Sequence, residues 1–166
     1  GGFNEVVHEY FLATPWDVSS ALYVQDFLVS SSGTLPGGIF FKFDGTKLYY
    51  VLGNGAVQEY DLSTPWDVSS ASSLQSFSVS AQESSPEGIF FKPDGTKMYI
   101  VGNQGNDVNE YTLSTPWDVS SASYLQNFSV ASQDDTPKGI FFSSDGLKMY
   151  IVGDDGNDVY QYTFTA

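Results

Sequence analysis

Four oxygen-bearing side chains close to the end of the sequence could bind a hard cation. They are Asp154, Asp155, Asn157 and Asp158. Carboxylate and amide oxygens around a glycine suit Ca²⁺, which is the one cofactor that these residues suggest. Their spacing departs from the twelve-residue EF-hand loop, whereas an Asx-Gly turn needs only these residue types. We therefore favour a turn without a cofactor, and a calcium loop is the alternative.

Seven further polar side chains lie in segments rich in turn-forming residues and could bind a ligand. They are Gln82, Glu83, Asn103, Asp107, Gln133, Asp134 and Asp135. The hypothesis is a glycan or a protein ligand, and the competing interpretation is an unconstrained solvent loop. Glu83, Asp134 and Asp135 are also the nearest candidates for a pair of hydrolytic carboxylates. Nothing in the sequence sets two of them at a working separation.

The chain has few residues for nucleophilic or zinc catalysis. It contains one histidine, His8, and no cysteine. One imidazole cannot supply a three-histidine zinc site, and any Ser-His-Asp triad would have to use His8. Its counterparts in the other repeats described below are Gln58, Asn109 and Tyr160. A polar position that varies in this way indicates solvent exposure, so no catalytic residue is predicted.

A Trp-Asp pair occurs three times, each time within the motif TPWDVSSA. The tryptophans are Trp16, Trp66 and Trp117, and the aspartates are Asp17, Asp67 and Asp118. Indole faces can stack on sugars, but burial of roughly 150 to 250 Å² for each ring favours a structural role. The aspartates are expected to accept hydrogen bonds from loop N–H groups, as Asx turns and short caps do.

These motifs recur because the chain is built from repeats of about fifty residues. Residues 58–108 and 109–159 differ at 15 of 51 positions, and a more divergent unit covers about 8–57. A period of this length is typical of solenoids, propellers and other repeat arrays. We treat residues 1–166 as a single array with partial units at both ends.

Each unit predicts four antiparallel strands. Two apolar runs such as GIFF and KMYIV precede two runs of alternating polarity such as DVNEYTL and YLQNFSV. A Pro-Asp-Gly turn at 93–95 joins the first two strands, a Gly-Asn-Asp turn at 105–107 joins the next two, and the TPWD segment leads to the fourth. Because the first two strands are apolar on both faces, radial stacking of the sheets fits better than a sandwich. The sequence therefore predicts an all-β propeller.

The segment GIFFKPDGTKMYIVG resembles the inner hairpin of propeller repeats of the YVTN or NHL type. In those repeats a proline, an Asp-Gly turn and a Tyr-Val strand recur in each blade. The resemblance extends over every repeat, and so over nearly the whole chain. It implies a propeller fold but no single activity, because such propellers include binding, structural and enzymatic members.

The predicted strands exceed three blades by one. The chain supplies two, four, four and three strands in order, or 13, whereas three four-stranded blades need 12. Third-strand sequences occur near both ends, at Val6–Leu12 and at Val159–Phe164. Closed propellers hold about four to eight blades. We therefore expect a homodimer that completes three blades per chain to a six-bladed ring, or else a longer array.

Charge restricts the class of partner. The chain has a formal net charge of −14, with 20 acidic and six basic residues. A polyanion repels phosphates and anionic lipids, so neither nucleic acid nor a membrane is an expected partner. The acidity and the many small polar residues favour an extracellular or virion-associated location.

The function that the sequence favours is a non-catalytic propeller that binds or assembles. Near-identical blades offer several equivalent sites, which suits avid binding of a glycan or protein. The expected binding surface is the face that carries the second turn of each unit and the blade-to-blade loops, which we call the loop face. An enzyme needs unlike groups converging on one place. Two alternatives stay open: a metal-dependent propeller hydrolase or lactonase that holds calcium, and a structural spacer of a viral or surface fibre.

Overall fold

The computed structural model describes residues 5–30, 35–155 and 158–163. Within these ranges the chain forms 13 strands and three 3₁₀ turns. The strands are β1 (Glu5–Leu12), β2 (Ala21–Ser30), β3 (Pro36–Phe41), β4 (Lys47–Leu52), β5 (Ala56–Leu62), β6 (Ala71–Ser78), β7 (Pro86–Phe91), β8 (Lys97–Gly102), β9 (Asp107–Leu113), β10 (Ala122–Ser129), β11 (Pro137–Phe142), β12 (Lys148–Gly153) and β13 (Val159–Thr163). The 3₁₀ turns are Val18–Ser20, Val68–Ser70 and Val119–Ser121. None of the helical segments in these ranges is long and apolar enough to cross a membrane.

The strands pair with their sequence neighbours in four antiparallel sheets, which we call blades A to D. Blade A is β1–β2, blade B is β3–β6, blade C is β7–β10 and blade D is β11–β13. The all-β class and the two, four, four, three order of strands are as the sequence predicts. Over the described ranges the chain holds two complete four-stranded blades and two partial ones, rather than three complete blades.

An Asp-Gly turn fixes the first hairpin of each complete blade. In blade C the Asp94 carboxylate accepts hydrogen bonds from the N–H and the hydroxyl of Thr96, at 3.0 and 2.6 Å. Gly95 has a φ of 73°, a left-handed conformation that glycine adopts without strain. Its N–H donates to the Lys92 carbonyl at 2.8 Å. The turn therefore holds β7 and β8 in register.

The core lies between the blades, because the inner strands are apolar on both faces. Phe40 of blade B, Phe90 of blade C and Phe141 of blade D form a series of edge-to-face contacts, with ring centroids 5.6 and 5.5 Å apart. Tyr49 of blade B and Phe91 of blade C are fully buried, with ring centroids 4.4 Å apart. Each blade thus covers the apolar face of the next.

Candidate functional site

The TPWD loop between the third and fourth strands has the same cap in blades A, B and C. In each copy the aspartate accepts a hydrogen bond at 2.9 Å from the N–H two residues further on. The three aspartates are Asp17, Asp67 and Asp118. A hydrogen bond from the nearby serine hydroxyl is the largest cause that holds the pKa of each carboxyl group below its usual value. The glutamine side chain, at Asp67 and Asp118, and the backbone N–H groups, at all three, lower the pKa further.

The tryptophans of these loops have a left-handed backbone. Their φ angles are 66° at Trp16, 68° at Trp66 and 66° at Trp117. A residue with a bulky side chain is strained there by about 1 to 2 kcal/mol. Such strain persists only where surrounding contacts over-determine the conformation. Hydrogen bonds within the cap, such as that from the Asp17 N–H to the Thr14 carbonyl at 3.1 Å, hold this conformation in all three loops, and contacts to the indole can add to them.

Trp117 receives those contacts at the boundary between blades B and C. Its indole stacks on Phe91 of its own blade and on Phe40 of blade B, with centroids 5.5 and 6.3 Å apart. The Tyr49 hydroxyl of blade B donates to the Trp117 carbonyl at 2.7 Å. A Cβ added to Gly95 would lie 2.4 Å from the indole. The fit is close enough that the Asp-Gly turn of blade C must carry a glycine.

A buried carboxylate joins the same two blades beside Trp117. Glu59 of β5 is fully buried and accepts from Lys47 Nζ at 2.5 Å and Gln75 Nε2 at 2.9 Å in its own blade. It also accepts from the backbone N–H of Val119 in blade C, at 2.9 Å. Gln75 Nε2 donates in addition to Asp118 of blade C at 2.5 Å. We call this set of contacts the interblade clamp.

The clamp recurs between blades A and B. Glu9 of β1 accepts from Gln25 Nε2 at 2.9 Å and from the Val68 N–H of blade B at 3.0 Å. Gln25 Nε2 also donates to Asp67 at 2.8 Å. The lysine of the clamp comes from a second strand, and blade A consists of a third and a fourth strand. The clamp around Glu9 therefore lacks the lysine that binds Glu59 in the clamp between blades B and C.

At the outer side of blade C the clamp is half complete. Glu110 accepts from Lys97 Nζ and from Gln126 Nε2, the latter at 2.8 Å. These residues correspond to Glu59, Lys47 and Gln75. The described part of blade D has no TPWD loop to supply the backbone N–H and the aspartate that would complete the clamp. Consequently the side chain of Glu110 is 13% exposed, whereas that of Glu59 is fully buried.

A groove of about 530 Å³ opens at this place, between blades C and D. Tyr99 and Gly146 line it. They correspond to Tyr49 and Gly95, which together with Phe40 and Phe91 form the surface against which Trp117 packs. We call this surface the seat of Trp117. Gly146 has a φ of 71°, and a Cβ added to it would meet no described atom within 4 Å. The groove therefore corresponds to the Trp117 seat without an indole.

The opposite edge of the chain presents a TPWD loop without a seat. Trp16 is 97% exposed, and Val18 is 83% exposed, whereas its counterparts Val68 and Val119 are 2% and 0% exposed. The expectation that all three tryptophans are buried is wrong at Trp16 and also at Trp66, which is 53% exposed. The physical reason is that blade A, in its described part, has no inner strands. Trp16 therefore lacks an Asp-Gly turn of its own blade and a preceding blade, and Trp66 lacks the preceding inner strands that cover Trp117.

The predicted ligand-binding residues of the loop face are partly engaged in the loops themselves. Glu83 is fully buried and accepts from the backbone N–H groups of Ser85 and Gly105, at 2.7 and 3.1 Å. Its counterpart Asp134 is 1% exposed and accepts from the Thr136 N–H at 2.8 Å. These two carboxylates stabilise neighbouring blade-to-blade loops and are not presented to solvent.

The remaining loop-face candidates are distributed over blades C and D. Asp107 is buried and accepts from Asn109 Nδ2 at 2.6 Å, and Asn103 Nδ2 donates to Glu87 at 2.7 Å. Tyrosine hydroxyls donate to the amide oxygens of Gln82 and Gln133, at 3.3 and 3.1 Å. Asp135 is exposed. These residues lie on the two blade-to-blade loops, on the turn between β8 and β9 and at the start of β9, and their role in binding stays a prediction.

The predicted calcium loop is only partly described. Asp154 is exposed and lies 3.8 Å from the Lys138 ammonium group, Asp155 is exposed and Asp158 directly precedes β13. Asn157 lies outside the described residues. Among the residues that are described, no group of three or more His, Asp or Glu side chains has the geometry to hold a metal ion. Calcium binding stays a prediction.

Alignment of the repeats places Glu9, Glu59 and Glu110 at one framework position without assigning their partners. It missed the glutamines of the clamp, Gln25, Gln75 and Gln126, although each follows its glutamate by 16 residues. That constant spacing is the signal that could have revealed them. The single histidine, His8, is exposed and pairs with Asp26 at 2.5 Å.

No protein-family model matches the chain, and no curated protein matches it. Solved structures do match. The β-propeller domain of Cps50 (Swd1) from Myceliophteria thermophila superposes with a TM-score of 0.59 at 11% identity, over 89% of this chain and 47% of that one. The fold is a β-propeller. The order and stacking of the blades agree with this fold, as the sequence predicted.

Two further propeller structures have enzyme names. A proposed 6-phosphogluconolactonase of Bacteroides uniformis matches with a TM-score of 0.67 at 12% identity, over 96% of this chain and 44% of that one. The periplasmic gluconolactonase PpgL of Pseudomonas aeruginosa matches with a TM-score of 0.59 at 15% identity, over 87% and 38%. The chain thus spans less than half the length of these proteins, and identities of this size show a shared fold alone.

Proposed function

We propose that the protein is a non-catalytic propeller module that assembles with copies of itself, so that blade D of one copy closes against blade A of another. The observation that carries this proposal is the complementarity of the two edges. One edge has an exposed TPWD loop with Trp16 at its tip, and the other has an open groove with the lining of a TPWD seat.

The apolar surface at the two edges is large enough to drive association. Burial of one indole removes roughly 150 to 250 Å², worth about 4 to 6 kcal/mol before the entropy of association is subtracted. Phe141, at the open end of the phenylalanine series, is 61% exposed, and Ile39 on the opposite edge is 45% exposed. Two copies joined at both edges would bury two such sets.

Light scattering coupled to size exclusion tests the proposal over a range of protein concentrations. We expect a mass of two chains of 18.1 kDa each. Trp16→Ala should shift the protein towards the monomer, whereas Leu74→Ala is the matched control, because Leu74 is an exposed apolar residue on β6, away from both edges. A monomer at every concentration would contradict self-assembly.

The names of two matching structures favour a second candidate function, the hydrolysis of a lactone. This candidate would use carboxylates such as Asp154 and Asp155 to hold Ca²⁺. Hydrolysis of gluconolactone and 6-phosphogluconolactone should be measured with and without Ca²⁺. Turnover that Asp154→Asn abolishes would support the enzyme, and the absence of turnover by the folded protein under both conditions would remove it.

A glycan or protein ligand on the loop face is compatible with self-assembly, because a closed ring would present several copies of that face. The amides of Gln82 and Gln133 are the side chains to vary, since they occupy equivalent positions in two loops. A glycan array with the intact protein tests the lectin form of this idea. Binding that the double variant Gln82→Ala/Gln133→Ala leaves unchanged would argue against this face.

A further inference from the structure

Two strands of the chain compete for one position in the propeller. β1 and β13 are both third strands by sequence: Glu9 and Tyr10 of β1 correspond to Gln161 and Tyr162 of β13. Blade D contains a first, a second and a third strand, and blade A contains a third and a fourth. If two copies close a ring, each junction contains one third strand too many.

Charge favours β1 over β13 at that junction. In blades B and C the lysine at the start of the second strand pairs with a glutamate of the third, as Lys47 does with Glu59. In blade D the corresponding lysine is Lys148, and β13 places the uncharged Gln161 at the glutamate position, opposite Tyr150. β1 carries the glutamate, Glu9, but its own blade has no lysine strand. The lysine that blade A lacks is present on blade D, and the glutamate that blade D lacks is present on blade A.

The loop that follows β1 fits the groove that β13 leaves open. Trp16 has a strained backbone and 97% exposure, whereas its counterpart Trp117 is held against Gly95 and Phe91. The equivalent glycine beside the groove, Gly146, has open space in front of it. The loop would also bring the N–H of Val18 and the carboxylate of Asp17 towards Glu110 and Gln126, which are the groups that their counterparts bind in the complete clamp.

The exchange would retain the packing that β13 now makes. Tyr162 lies edge-to-face on Phe128 of blade C, with centroids 5.4 Å apart. Phe77 and Tyr111 make the equivalent contact between blades B and C, at 5.7 Å. Tyr10 stands at the same position of β1, so the aromatic pair can form with either strand.

We infer that in the assembled protein the β1–β2 hairpin of a second copy replaces β13 in blade D. This inference rests on the proposed self-assembly. Blade D then consists of β11 and β12 from one copy and β1 and β2 from the other, with Glu9 of the partner copy beside Lys148. Twelve of the 13 described strands of each copy build three blades, two copies close a six-bladed ring, and β13 is displaced.

The decisive variant is Gln161→Glu. It gives β13 the glutamate that it lacks, so Lys148 is satisfied within the chain and the partner's hairpin competes less well. Without strand exchange, a glutamate at position 161 would not compete with Glu9 for Lys148, so it should change the dissociation constant no more than a negative charge elsewhere on the surface does. We expect the dissociation constant to rise about tenfold. Ser76→Glu is the control for added negative charge, because Ser76 is exposed on β6.

A charge swap tests the same pair in the opposite sense. Glu9→Lys and Lys148→Glu should each weaken the dimer about tenfold, and adding Lys148→Glu to Glu9→Lys should recover the part that the ion pair contributes. The bonds from Gln25 and Val68 to Glu9 are lost with and without the second substitution, so this comparison isolates the ion pair. Circular dichroism of every variant verifies that the strands still form. Sedimentation velocity over a concentration series measures the dissociation constants.

The outcomes separate this inference from the proposed function. A dimer that Gln161→Glu weakens, and that the double swap partly rescues, supports strand exchange. A dimer that responds to Trp16→Ala but to neither Gln161→Glu nor the swaps overturns strand exchange and leaves self-assembly intact. A monomeric wild-type protein at all concentrations overturns both.

Discussion

The carboxylate of Glu59 in blade B accepts a hydrogen bond from the backbone N–H of Val119 in blade C, at 2.9 Å. The two residues are 60 positions apart in the chain, and the bond crosses the boundary between blades. Glu59 also binds Lys47, so the charge is paired within its own blade. One buried side chain therefore holds together a blade and the loop of the next.

Glu59→Gln should lower the free energy of unfolding by about 2 kcal/mol, because a neutral amide accepts less strongly than a carboxylate from Lys47, Gln75 and the Val119 N–H. Lys47 keeps Asp61 as a charge partner at 2.8 Å. Glu110→Gln is the matched control. That glutamate binds its own lysine and glutamine, but at the open groove it has no loop to hold, so the loss should be nearer 1 kcal/mol. Urea denaturation at low protein concentration measures both values. Equal losses would show that the interblade bond contributes little.

Comparing the stability losses of Gly95→Ala and Gly146→Ala separates the cost of backbone strain from the cost of a clash with an indole. Both glycines have a φ near 70°, at 73° and 71°, so both substitutions should cost about 1 to 2 kcal/mol of left-handed strain. Only the Cβ at position 95 would collide with an indole. Gly95→Ala should therefore cost roughly 2 kcal/mol more than Gly146→Ala. Thermal or urea unfolding of the monomer gives the difference, and the absence of a difference would mean that Trp117 can move aside.

Substitution by glycine should lower the free energy of unfolding at Trp117 and raise it at Trp16. Trp117→Gly removes the packing against Phe91 and Phe40 and should destabilise the chain by about 3 kcal/mol. Trp16→Gly removes strain from a loop whose indole has no seat, so the monomer should become more stable by about 1 kcal/mol. Unfolding at concentrations below dimerisation measures both. A loss of monomer stability with Trp16→Gly would show that this indole already packs within its own chain.

The sequence predicts the strands well because the signals for them are local. The Asp-Gly turn at 94–95 and the apolar run that begins at Met98 lie within a dozen residues of each other, and this combination forms a hairpin in blades B, C and D. Each further copy of the repeat then forms the same hairpin. The 13 strands and their order follow from these two facts.

The site was harder to predict because its contacts join residues about 60 positions apart. The bond between Glu59 and Val119 depends on how blades stack, which no pattern within one blade encodes. The left-handed tryptophans also run against intrinsic preference, since a bulky aromatic residue disfavours that conformation. The exposure of Trp16 follows from an incomplete blade, whereas its local sequence is the same TPWDVSS as at the half-buried Trp117.

Acid should weaken the hairpin turns of the complete blades. A side-chain hydrogen bond from Lys92, followed by those from Thr96, holds the pKa of Asp94 well below its usual value of 3.8. Because the folded pKa lies below the unfolded one, this carboxylate contributes stability above about pH 4. The contribution is lost as the pH falls through the folded pKa. It is small, because the exposed ion pair is screened by solvent.

Asp94→Asn should therefore be less stable than the wild type at pH 7, and the two unfolding curves should converge as the pH is lowered below 4. Asp135→Asn is the control, because it removes one charge from an exposed loop without breaking a turn. Urea unfolding at pH 7, 4 and 2.5 makes the comparison. If the gap between Asp94→Asn and the wild type stays constant across this range, then Asp94 stabilises the turn through its shape and not through its charge.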